Sequence, residues 1–428
     1  MKIRFISMLL LLYFLCSCDK EDRIVTDDNG VVIRRPHLWD TPLSKDGSIP
    51  DLSISTPIIY DESNLLVSGE RNGQRSILSL GAFDGLVNWE WSDLLGLLNN
   101  PTYKDPINIV RKSYYQFGNK LFFNYSTSSY CIDLGTGQTI WKNQIARARN
   151  SNNAGIDDLY FSAGSEYDPV DEQKIYWGNI NSADNEQLLL KPNYTAVSNP
   201  PSNAQGYLNS IRPFKFGNDT YLAFGIENPY TDFTTPTGSG LTELNLYNLT
   251  QSKYEYEKIV INPQRETRVI ADLFYQSGFL YFQSSNFIHS YDAMTGQELW
   301  RVFIGSSPLT SRMILVDNKL ISACEDRILY CVDALTGRIL WREQNTGTCS
   351  ELSYLNGVIY YLGGGDGLLH AVDAETGKHL WKISSPDLKH NSDAYFFGVC
   401  IAVPGRGQDN GVVIGTTGIN AYAYEAIR

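Results

Sequence analysis

The chain has 428 residues, with 35 Lys plus Arg against 47 Asp plus Glu, a net charge of −12. That balance argues against a nucleic-acid partner, which rewards a basic surface, and against electrostatic adhesion to anionic lipid.

At the N-terminus, Lys2 and Arg4 precede an apolar run over residues 5–15, too short to span a bilayer. Residues 1–17 are predicted to be a secretory signal. Residues 15–18, Leu-Cys-Ser-Cys, resemble a bacterial lipobox. Cys18 suits the acylated position because Leu15 stands three before it and Ser17 one before it. The lipid would tether the chain to a membrane without spanning it. An acidic tether is assigned to residues 18–33, with Asp19, Glu21, Asp22, Asp27 and Asp28. It resembles the signal that sends lipoproteins of Bacteroidota-like bacteria to the outer face of the outer membrane; a plain solvated tether is the alternative. Removal of Lys2 and Arg4 with the signal leaves 33 basic residues against 47 acidic ones, a mature charge of −14.

The remainder, residues 34–428, is organised by a repeat. The first copy, LSLGAFDGLVNW, keeps Gly85 and Trp89 but lacks the aspartate. Four sharp copies follow: SYCIDLGTGQTIW (129–141), IHSYDAMTGQELW (288–300), ILYCVDALTGRILW (328–341) and LHAVDAETGKHLW (369–381). In all four, Thr lies three residues after the Asp, Gly four after and Trp eight after. Asp133, Asp292, Asp333 and Asp373 would close a strand and accept from backbone N–H groups of the turn. Gly137, Gly296, Gly337 and Gly377 fall where a turn with a bulge needs positive φ. Trp141, Trp300, Trp341 and Trp381 stand on the outgoing strand, where a flat ring can wedge between neighbouring sheets. All twelve are read as structural.

Trp300, Trp341 and Trp381 are spaced by 41 and 40 residues, the length of one four-stranded blade. The 159 residues from Trp141 to Trp300 fit three blades, with eroded strand patterns at 174–190 and 241–259. At the C-terminus, GVVIGTTGINAYAYEAIR follows the repeat with Tyr424 assigned to the aspartate's place, then stops at Arg428. The missing outer strand is assigned to VVIRRPHLWDTP, with Trp39 as its tryptophan. The prediction is therefore an all-β, eight-bladed propeller of four-stranded antiparallel blades, its ring closed by an N-terminal strand.

Two stretches exceed the repeat. Residues 164–174 are acidic, and residues 228–240 place Tyr230 and Phe233 in a loop that is the candidate partner contact. Other polar groups read as packing. His289 and His370 sit three before the repeat Asp, and His37, His379 and His390 lie apart without ligand spacing. The Gly-rich residues 363–367 lack the GK[ST] ending of a phosphate loop. Glu166, Asp168, Asp171 and Glu172 do not form a calcium loop. Five cysteines follow Cys18: Cys131, Cys324, Cys331, Cys349 and Cys400. The odd count leaves at least one free, and pairing among them stays open.

The pattern A-x-D-x-x-T-G-x-x-x-W resembles the quinoprotein-type (PQQ-like) β-propeller repeat. With the lipobox, the chain is similar to the propeller lipoproteins of the bacterial outer-membrane β-barrel assembly machinery. The resemblance implies lipid anchoring in the outer membrane, on its periplasmic face or the cell surface, and an outer-membrane protein partner. The expected function is a non-catalytic interaction scaffold, and the alternative is capture of glycan or another small ligand by exposed aromatic rings. A quinoprotein dehydrogenase is the third reading. Those enzymes use adjacent disulfide-bonded cysteines and Glu/Asn/Asp ligands around calcium. No two cysteines after Cys18 are adjacent and no carboxylate set matches, so neither PQQ nor calcium is expected.

Overall fold

The computed structural model describes residues 23–45, 54–71, 74–92, 109, 113–125, 128–144, 149–164, 174–182, 186–193, 207–227, 242–261, 270–284, 286–305, 313–389, 394–407 and 409–428. These form eight sheets, seven antiparallel ones of four strands and one of six that contains a single parallel pair. The blades begin at the strands Ile58–Tyr60, Tyr114–Phe117, Arg149–Ile156, Tyr207–Phe216, Ile270–Gln276, Ile314–Val316, Ser353–Leu355 and Phe396–Val403. The eroded stretches are blades 3 and 4, with third strands Lys174–Asn179 and Thr242–Asn248. A 3-10 turn, Pro386–Lys389, leads from blade 7 to blade 8.

Burial within a blade follows distance from the ring's centre. The third strand of blade 6, Ile328–Asp333, is buried on both faces, whereas its fourth strand, Ile339–Gln344, is half-buried to exposed. The cores lie between sheets. Tyr281 and Ile288 of blade 5 pack with Leu320, Tyr330 and Val332 of blade 6. Ile321, Leu329 and Cys331 of blade 6 pack with Ile359, Tyr361 and Val372 of blade 7. Each blade therefore needs both neighbours to bury its apolar faces, so an open ring would leave two faces wet.

The ring closes through the N-terminus. Trp39–Pro42 pairs antiparallel with the C-terminal strand Asn420–Glu425, and Trp39 lies opposite Ala423. This register corrects one residue. Trp341 lies opposite Cys331, two before Asp333, so the residue two after Ala423, Glu425, holds the aspartate's place rather than Tyr424. Tyr424 is buried in the core between blades 7 and 8.

The boundary at residue 34 also moves. Val32–Arg34 pairs parallel with the outer strand of blade 7, Val32 beside Trp381, and Val25–Thr26 pairs antiparallel with it. Part of the stretch assigned to the tether is thus sheet. Val32 packs on the core beneath Trp381, which favours strand over solvated chain there.

Candidate interaction surface

The repeat hairpins hold the blades in place. Asp333 accepts hydrogen bonds from the Thr336 N–H and hydroxyl, each at 2.8 Å. Asp133, Asp292 and Asp373 repeat the arrangement with Thr136, Thr295 and Thr376. The Thr336 hydroxyl, with backbone N–H groups, holds the Asp333 carboxyl below its ordinary value. Burial pushes Asp292 and Asp373 up, but the same turn donors win and hold them low.

Gly137, Gly296, Gly337 and Gly377 have φ of +69°, +67°, +72° and +78°. Their second role lay outside the reading of single repeats. A Cβ on Gly137, Gly337 or Gly377 would strike the indole of Trp89, Trp300 or Trp341, each on the preceding blade. Trp39 covers Gly85 of blade 1 in the same way. The indole nitrogens of Trp39, Trp89 and Trp341 donate to the carbonyls of Ala82, Leu134 and Ala374 in the next blade's hairpin. Where a member of the pair is missing, the joint changes. Trp141 donates to Ile180 O of blade 3, and Gly296 receives Tyr256 and Ile259 of blade 4. Trp381 is capped by Arg35, whose guanidinium lies 4.5 Å from the ring centroid.

These hairpins occupy one face of the ring. Connections from second to third strands, and from each blade to the next, leave the opposite face. Both long stretches join second to third strands, in blades 3 and 4, between Gly164 and Lys174 and between Glu227 and Thr242. Tyr230 and Phe233 lie outside the described residues, as do Cys18, His390, Glu166, Asp168, Asp171 and Glu172.

The remaining polar groups are placed as follows. His289 stacks on Phe282 at 5.0 Å, with Glu298 Oε2 3.4 Å from Nδ1. His370 stacks on Tyr361 at 4.7 Å and meets the Asp366 carboxylate at 3.1 Å. The glycines of 363–367 form the hairpin between the strands Val358–Leu362 and Leu368–Asp373. One expectation is corrected: His379 does not stand apart but lies 5.4 Å from the His370 ring, because a bulge opposite Val372 turns it to the same side. Burial lowers the His379 pKa to about 4 despite its bond to Gln344 O, so its imidazole is neutral at neutral pH. No group of three or more His, Cys, Asp or Glu among the described residues is arranged to hold a metal.

At the hub of the second face, lead-in segments meet. Ile54 bridges Ile109, both fully buried, and Thr56 donates to Glu351 at 2.7 Å. The rim, by contrast, exposes apolar side chains. Ile140, Leu188, Leu299 and Phe303 lie on the outer strands of blades 2, 3 and 5.

The sequence profile of a family described as outer membrane protein assembly factor BamB matches residues 275–424, which span blades 5 to 8. No curated protein matches the chain. Among solved structures, it is similar to the computationally designed Ika8 protein, at 13% identity over 90% of this chain and 99% of that one, TM-score 0.55. A europium-containing methanol dehydrogenase matches at 12% identity over 91% and 93%, TM-score 0.59. The quinohemoprotein alcohol dehydrogenase of Comamonas testosteroni matches at 10% over 91% and 76%, TM-score 0.60. At such identities the likeness shows the fold alone. The strand topology makes this chain an eight-bladed β-propeller, and its blades 5 to 8 carry the match to the PQQ-like profile.

Proposed function

We propose that the protein is a non-catalytic interaction scaffold, lipid-anchored in the outer membrane through Cys18, that holds an outer-membrane protein partner. The observation that carries this reading is the match of residues 275–424 to an outer membrane assembly factor. Two features of the ring support it. Blade 7 accepts an extra strand beside Trp381, so a blade rim can template β-addition. The outer strands of blades 2, 3 and 5 carry exposed apolar groups on edges that no strand among the described residues pairs with, a setting in which pairing with another chain is favoured.

The test is affinity capture of the lipidated protein from gently solubilised native membranes, with the bound species identified by mass spectrometry. A stoichiometric outer-membrane barrel or assembly factor is the expected result. A propeller recovered alone would overturn the scaffold reading. Reduction of an artificial electron acceptor in the presence of PQQ, calcium and an alcohol would overturn its non-catalytic part.

Tyr395 favours a second reading, capture of glycan. Its exposed ring lies 5.7 Å from Phe397, on the face of the long connections, beside the hairpin at Gly367. Such a pair can stack on a sugar. Glycan-array binding lost in Tyr395→Ala, with no protein partner captured, would select this reading.

A further inference from the structure

Residues 23–42 run along the rim across three successive blades. Val25–Thr26 and Val32–Arg34 widen the sheet of blade 7 from four strands to six, Trp39–Pro42 completes blade 8, and the Trp39 ring rests on Gly85 of blade 1. With neighbouring strands ~4.8 Å apart, the two added strands carry blade 7 outward by about 10 Å, as a fin. The segment is fixed to the ring. Arg35 lies over Trp381 at 4.5 Å and pairs with Glu425 at 3.4 Å, while Val32 packs on the core beneath.

Among the exposed polar groups of this segment, such as Arg34, His37 and Asp40, three large aliphatic side chains also face solvent. Ile24 is 59% exposed, Ile33 41% and Leu38 56%. The tether is also short. Cys18 precedes Arg23 by five residues, so at ~3.6 Å per residue a lipid on Cys18 stays within about 18 Å of the fin. The anchor and the aliphatic groups therefore belong to one side of the molecule.

We propose that the fin is the membrane-facing surface, so that the propeller stands on the rim of blade 7 with its axis along the membrane plane. This rests on the lipid anchor of the proposed function and adds the orientation. Its occupant is the bilayer surface, where Ile24, Ile33 and Leu38 meet the boundary between headgroups and acyl chains. A net negative chain is not drawn there by charge, which leaves the lipid and these side chains as the attachment. Both faces of the ring then look sideways along the membrane.

The test uses the full lipidated protein in phosphatidylethanolamine–phosphatidylcholine vesicles containing brominated lipid. A bimane label is placed singly by Ile33→Cys, Leu38→Cys, Leu188→Cys or Val260→Cys; the last two sit on outer strands of blades 3 and 4, across the ring. Quenching at 33 and 38 at least twofold stronger than at 188 and 260 is expected. Equal quenching at all four, or stronger quenching at 188 or 260, overturns the orientation. Failure of the lipid reading shows separately: the unlabelled protein would not float with vesicles, Cys18→Ser would change nothing, and the orientation would fall with it.

Discussion

Gly337 joins two blades through a hydrogen atom. Its φ is +72°, and a Cβ there would lie 2.7 Å from the Trp300 indole of the preceding blade. Gly118, at φ +54°, has nothing within 4 Å of the same hypothetical atom. Gly118→Ala should therefore cost only the left-handed penalty, about 1–2 kcal/mol. Gly337→Ala adds displacement of a packed indole and should cost about 2–5 kcal/mol. Urea unfolding of the two variants measures the difference, and equal losses would show that the indole contact contributes nothing. The aspartates beside these glycines set a pH dependence. Asp292, Asp333 and Asp373 are held below their ordinary value in the fold. For a depressed carboxyl, stability is fully present above the unfolded value of about 4 and is lost as pH falls through the folded one. The Tm should accordingly fall below pH ~4, and Asp333→Asn should flatten that fall. Identical Tm–pH curves for the two proteins would remove Asp333 from the account.

At the scale of the element, the N-terminal strand is a clasp whose strength comes from reaching two blades. Trp39–Pro42 pairs with blade 8 while the Trp39 indole covers Gly85 and donates to Ala82 O of blade 1 at 3.0 Å. Trp39→Ala should cost about 3–5 kcal/mol, as for other large-to-small changes at packed aromatics. Its signature should be local: faster amide exchange in residues 39–41, 81–86 and 420–425, with blade 4 unchanged. Exchange rising uniformly round the ring would refute the clasp. The strands of blades 2, 5, 6 and 7 were legible because Asp, Gly and Trp recur at fixed spacing within one hairpin. Partnership between Trp300 and Gly337 was not, since each copy reads as self-contained while the contact joins consecutive copies. Val32–Arg34 was read into the closing strand of blade 8 for a related reason: Val-Ile-Arg runs on through Pro36 to Trp39 without a turn signal, and only the open edge beside Trp381 pairs it with blade 7 instead. Glu425 escaped because the repeat runs out before its turn, so register had to come from Trp39 across the sheet. Of the candidate contact surface, the sequence marked long connections but not the rim, whose outer strands resemble any half-exposed strand.

For the whole molecule, closure by packing bears on the cysteines. Disulfides hold many chains together in oxidising compartments, yet Cys131, Cys324, Cys331, Cys349 and Cys400 are all buried as thiols. They sit on several blades, each inside an apolar layer. Burial pushes the thiols of Cys131, Cys324 and Cys331 up to about 12, and that of Cys400 higher still. A thiol so shifted holds almost no thiolate at neutral pH, and thiolate is the species that oxidises and exchanges. The clasp at Trp39 takes the part a disulfide plays in a small secreted domain, joining chain ends so that no blade can leave alone. In the native protein these five thiols should therefore react negligibly with a reagent such as DTNB, while all five react once it is unfolded in guanidinium. Its Tm should not change with added reductant. Fewer than five reactive thiols after unfolding, or a Tm that drops with reductant, would mean that a disulfide rather than the inter-blade core closes the ring.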